Sequence, residues 1–251
     1  MAVKELIEAR WKAIIGMVAC VIFAAGLAGT YDLIKQLLTN SAALQQIPQA
    51  LQGQIQQLLG AYNEYVWGQW YAKNGSQALA VLAAVLGCGL IGAEVNKGTI
   101  FFLLSKPVGR VRVLLVKYAV SAALLLAMIV ASSAALLITA AIVGHPQPVG
   151  GAAISSLLLW LGTLFVLGLA LLFSVVYKDI LRPLLFALII TIVTSIPGLF
   201  PGWSDWSLTG YWSSQTAYLG QEFPIKGLII CLVAAALPVI AAIPLFRKQA
   251  Y

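Results

Sequence analysis

Six stretches of this chain are each apolar enough and long enough to cross a lipid bilayer, and no other feature limits its fold as tightly. They cover residues 13–31, 76–93, 114–143, 152–177, 183–200 and 227–246. A crossing helix needs about 20 apolar residues. Hydrocarbon offers the backbone no water, so only helices or closed barrels span it, and runs of this length select helices. Composition agrees: 61% of the 251 residues are hydrophobic and 9% are charged, where a soluble domain carries roughly 25% charged. That excludes a soluble enzyme, a disordered chain and a secreted disulfide scaffold. The expected fold is an all-α polytopic membrane protein, one transmembrane domain over residues 1–251 with six transmembrane helices.

The distribution of Lys and Arg sets the orientation. One face collects Lys4, Arg10, Lys12, Lys97, Lys106, Arg110, Arg112, Lys117, Lys178, Arg182, Arg247 and Lys248, while the other holds only Lys35, Lys73 and Lys226. Twelve against three places both termini in the cytoplasm. The net charge of +7 is therefore a topology signal, and no nucleic-acid partner is expected. The first span reads as an uncleaved helix, because its apolar core exceeds the 7–15 residues of a signal peptide and Glu5 and Glu8 precede it.

The connecting segments carry four further expectations. Residues 1–12 mix Leu6, Ile7 and Trp11 with charges and read as a helix lying along the inner surface. Residues 32–75 form a long external segment in which Ile47, Leu51, Ile55 and Leu58 recur at helical spacing among glutamines. It serves either as a packing lid or as a gate that meets substrate. Residues 197–224 hold Pro197, Gly198, Pro201 and Gly202 with Trp203, Trp206, Tyr211 and Trp212, which marks either a re-entrant or interfacial element or a plain fifth helix that ends at a proline. Residues 94–113 form a cytoplasmic loop with a five-residue apolar knob at 100–104, between Lys97 on one side and Lys106 and Arg110 on the other. Thr99 can cap a short helix and Pro107 can stop it. Such a knob either dips into lipid headgroups or docks into a groove on a partner.

Glu94, Gly98, Thr99, Leu103, Leu104, Ser105, Pro107, Arg110 and Lys117 occur in an order that resembles the signature of permease subunits of ABC transporters of the type-2 export family. The six-span layout and long outer segment are similar too, so the resemblance covers essentially the whole chain. Lys97 and Phe101 depart from it, since both positions are often acidic in the family. The resemblance implies that the loop is a coupling helix between spans 2 and 3, seated in a cleft of a separate ATPase. On that reading the segment expected to couple to the ATPase comprises Glu94, Lys97, Gly98, Thr99, Phe101, Phe102, Leu103, Leu104, Ser105, Lys106, Pro107 and Arg110.

The absences point the same way. No GxxxxGK[ST] phosphate loop occurs, so ATP and Mg are expected on the partner ATPase and no cofactor or metal on this chain. With Lys117 counted at the cytoplasmic edge, the span interiors carry only hydroxyls such as Ser121, Ser132, Ser133, Thr163, Ser174, Thr191, Thr194 and Ser195. Ion-driven carriers and intramembrane proteases need more than that. Cys20, Cys88 and Cys231 lie in apolar runs and read as small packing residues, and His145, the single histidine, reads as an ordinary loop residue. The expected protein is a membrane-spanning permease subunit of an ATP-driven ABC exporter, not itself an enzyme, paired with a second permease copy or a similar chain. Its expected location, among lipids of the prokaryotic plasma membrane, follows from the resemblance. The alternative is a non-transporting scaffold or sensor that anchors a cytosolic partner.

Overall fold

The computed structural model describes residues 2–40, 60–96, 98, 109–177, 179–200 and 202–249. Among these residues every regular element is helical. Six helical stretches are long and apolar enough to cross a membrane: Val3–Leu37, Tyr62–Asn96, Arg110–Ile142, Val149–Val176, Leu181–Leu199 and Ile225–Lys248. Each contains one of the six apolar runs of the sequence almost entirely, and most extend beyond it.

The first helix, α1 (Ala2–Asn40), is one uninterrupted rod. At 1.5 Å per residue it is about 58 Å long, well beyond the roughly 30 Å of hydrocarbon. Residues 2–12 therefore continue the first span instead of forming a separate surface helix. The cause is local: no Pro or Gly falls before Gly16, and Lys, Glu, Leu, Ala and Arg all favour helix.

The second span is assembled from α2 (Tyr62–Val66), a π-helical segment Trp67–Lys73, α3 (Asn74–Cys88), a turn and α4 (Gly92–Asn96). It begins well ahead of residue 76. Asn63, Glu64, Gln69, Lys73 and Asn74 lower the local hydropathy without breaking the helix. The external segment is thus shorter than residues 32–75, and its amphipathic part at 47–58 lies outside the described residues.

The remaining spans are α5 (Arg110–Ile142), α6 (Val149–Val176), α7 (Leu181–Ser195) and α10 (Ile225–Lys248). The centre of the bundle is α6, with 78% of its span buried against 17% for the α7 span and 28% for α1 and α10. Glycines allow its neighbours to close in, as small residues do in membrane bundles. A side chain at Gly162 would strike the Trp212 ring, and one at Gly151 the Tyr218 backbone. A Cβ on Gly168 would lie 3.2 Å from Pro238 of α10, and one on Gly87 of α3 would press on Ala170 and Leu167 of α6.

After α7 come 3-10 turns at Ile196–Leu199 and Ser204–Trp206 and two short helices, α8 (Leu208–Trp212) and α9 (Gln215–Tyr218). Trp212 and Tyr218 are buried against α6, while Trp203 and Trp206 are exposed. That mixture of inserted and exposed rings is the pattern of a boundary element. Beside it, Tyr31, Tyr62, Tyr65 and His145 form an aromatic cap in which His145 stacks on Tyr62 at 4.5 Å. Gln147 donates to Asn63 at 2.7 Å and accepts from the Tyr218 hydroxyl at 2.8 Å. His145 is thus a structural member of this cap.

Candidate coupling face

At the end of the bundle opposite the aromatic cap, the start of α5 stands beside the start of α1 and the end of α10. The Arg110 guanidinium donates to the carbonyl of Gln249 at 2.8 Å and of Arg247 at 3.4 Å. It thereby satisfies carbonyls that the end of α10 leaves open. Two turns along α5, the Lys117 ammonium donates to Glu5 Oε2 of α1 at 2.8 Å and to Glu94 Oε1 of α4 at 3.1 Å.

The chain is built to deliver Glu94 to that point. After α3 ends at Cys88, residues 89–91 turn, and the Ser174 hydroxyl of α6 accepts from the backbone N–H groups of Ile91 (3.0 Å) and Gly92 (2.8 Å). A Cβ on Gly92 would come within 2.8 Å of the Asp179 carbonyl oxygen, so glycine allows this close seat. The short α4 then carries Glu94 inward.

Three charges are buried there. Lys117 is 2% exposed, and Glu5 and Glu94 are each 6% exposed. Such groups are tolerated in low dielectric only when paired. Glu5 uses both oxygens: Oε2 accepts the hydrogen bond, and Oε1 lies 2.8 Å from the ammonium as an ion-pair contact without hydrogen-bond geometry. The half-exposed Lys4 adds contacts to Glu8 (3.3 Å) and Glu94 (3.5 Å). The carboxylates of Glu5, Glu8 and Glu94 come within 4.8 Å of one another, a spacing compatible with a cation. The ammoniums of Lys4 and Lys117 already supply the positive charge among them. A cavity of about 480 Å³ adjoins the cluster, lined by Lys4, Glu5, Glu8, Lys12, Glu94 and Lys117 together with apolar side chains.

This cluster corrects one sequence expectation. Lys117 is not a loop-edge cation but a buried one inside a span, and Glu5 and Glu94 join it from helices that also qualify as spans. Sequence patterning misses it because the partners are 112 and 23 residues away. Of the residues expected to couple to an ATPase, the structure describes Glu94, Gly98 and Arg110. Glu94 is turned into the bundle, Gly98 is exposed with a φ of 70°, and Arg110 is pinned to the C-terminal segment. Lys97, Thr99, Phe101, Phe102, Leu103, Leu104, Ser105, Lys106 and Pro107 lie outside the described residues.

The hydroxyls of the spans are largely absorbed by the fold. Ser132, Thr163, Thr191, Thr194 and Ser195 each donate to a carbonyl three or four residues back in their own helix, the usual use of such groups. Ser174 holds the turn before α4. Ser133 and Ser156 bond across α5 and α6 at 2.9 Å, with the Tyr71 hydroxyl 3.4 Å from each.

A family model described as "ABC-2 family transporter protein" matches residues 2–202, from the start of α1 through the fifth span. No curated protein matches the chain.

Proposed function

The chain belongs to the ABC-2 transporter family as a multi-pass membrane permease, and from that premise we propose that it is the translocating subunit of an ATP-driven exporter. The basic face is cytoplasmic, because twelve of the fifteen Lys and Arg residues lie on it. Two copies, or this chain and a similar one, enclose the pathway. A separate ATPase docks on the loop between the second and third spans, in the plasma membrane of a prokaryotic cell. Lys97, Gly98, Thr99, Phe101, Phe102, Leu103, Leu104, Ser105, Lys106 and Pro107 form that docking segment, and Glu94 and Arg110 are the anchors that tie its two ends to the bundle.

One observation carries this reading: both ends of the loop are moored to the bundle. Glu94 leads into it from a buried ion pair, and Arg110 leads out of it held to the C-terminal segment. A loop moored on both sides passes a push to the helices instead of absorbing it. The apolar knob supplies the adhesive surface, and Lys106 meets acidic groups at the rim of the cleft. Closure of the ATPases on ATP then switches the pathway between inward- and outward-open states.

The test is Phe102→Asp together with Leu103→Asp, followed by mild-detergent purification. The ATPase is expected to be lost while the permease stays in the membrane fraction. Undiminished recovery of the ATPase would refute the docking reading. Cargo flux in sealed vesicles then separates an exporter from a membrane anchor that moves nothing.

A further inference from the structure

Among the described residues, Lys117 is the one buried cation on the coupling face that the docking reading leaves without a task. Its ammonium joins three elements at a single point: α1 through Glu5, α4 through Glu94 and its own α5. Glu94 stands three residues before Lys97, and Arg110 stands seven residues before Lys117 on a continuous helix. Both ends of the loop therefore converge on this node, one by an ion pair and the other by two turns of rigid helix.

We propose that Lys117 is a positioning residue of the transport cycle, and that its ion pair with Glu94 is the releasable link through which the coupling loop moves α1 and α5. This rests on the docking reading above. The chemistry lies in the uneven grip of the two carboxylates. Glu5 faces the ammonium with both oxygens at 2.8 Å, and Glu94 with one at 3.1 Å. Breaking a lone buried pair would strand a charge in low dielectric. Here Lys117 keeps Glu5 when Glu94 leaves, so the lysine stays neutralised. The departing carboxylate keeps Lys4, which touches it at 3.5 Å from a half-exposed position. The adjoining cavity gives that movement room. One pair is thus a clamp that holds α1 and α5 as one body, and the other is a hand that can let go. Because α1 runs on to Asn40, a shift at Glu5 reaches Tyr31 and the aromatic cap at the far end.

The experiment uses the full permease with the ATPase that co-purifies with it, reconstituted in vesicles. Glu94→Gln is expected to retain the ATPase and the thermal stability of the complex, and to lower permease-stimulated ATP hydrolysis about tenfold, within the usual range of coupling between sites. Lys117→Arg, which preserves both charge pairs, is expected to retain the stimulation. Full stimulation in Glu94→Gln would overturn the proposal. So would a loss that only follows lower thermal stability or less ATPase in the complex, since those mark a structural or docking role. The Phe102→Asp, Leu103→Asp protein is assayed in parallel. If it keeps its ATPase and its stimulation, docking on this loop fails and the link from Glu94 fails with it; if it loses both, a negative result in Glu94→Gln counts against Lys117 alone.

Discussion

Gly87→Ala tests the packing of the second span against the centre of the bundle. A Cβ at residue 87 would lie 2.6 Å from the Ala170 Cβ and 2.9 Å from the Leu167 carbonyl oxygen. Ordinary contact begins at 3.4 Å, so the first approach is short by 0.8 Å (3.4 − 2.6). Neither obstacle can rotate away, since one is a methyl fixed to the α6 backbone and the other is that backbone. The two helices must separate, and overpacking of this kind costs about 1–3 kcal/mol. At about 2–4 °C per kcal/mol for a chain of this size, the unfolding midpoint should fall by about 2–12 °C. Thermal unfolding in mild detergent with a thiol-reactive dye suits this protein, because Cys20, Cys88 and Cys231 are all free and buried. Adding Ala170→Gly removes the closer obstacle and leaves the Leu167 carbonyl, so it should restore only part of the loss. A single variant as stable as the parent would refute the reasoning, and full recovery in the pair would refute the role given to Leu167.

Two other side chains give contrasting expectations. Trp212→Ala empties the groove at Gly162 and should cost about 3–5 kcal/mol, read as a lower unfolding midpoint and faster proteolysis within residues 202–220. Tyr71→Phe should cost less than about 1 kcal/mol in the same unfolding assay, because its hydroxyl contacts are long, at 3.4–3.5 Å, and the 2.9 Å Ser133–Ser156 bond survives without it.

The six crossings were legible because a bilayer demands long apolar runs and few other structures supply them. Their ends were less so. Hydropathy falls at Asn63, Glu64, Gln69, Lys73 and Asn74, yet the helix continues, since those side chains interrupt apolarity without removing a backbone hydrogen bond. The same rule hid the ionic node. A lysine three residues inside an apolar run resembles a flank that reaches back to water, and only the fold reveals that Glu5 and Glu94 meet it there. The Pro and Gly of residues 197–224 signalled either a re-entrant or interfacial element or the plain end of the fifth helix. The sequence offered no means to tell the inserted Trp212 from the exposed Trp206, because that depends on Gly162 in another helix.

The π-helical segment Trp67–Lys73 has a consequence for how the second span meets its neighbours. On a uniform helix at about 100° per residue, Tyr62, Tyr65 and Val66 share one stripe with Ala80, Ala83, Ala84 and Gly87, all of them buried. A π turn accommodates one extra residue and so rotates the two halves apart by about 100°. Above it, Tyr62 donates to the Ala28 carbonyl of α1 at 2.8 Å; below it, Gly87 presses on α6. A single apolar stripe in the sequence thereby faces two different partners, α1 at one end of the span and α6 at the other.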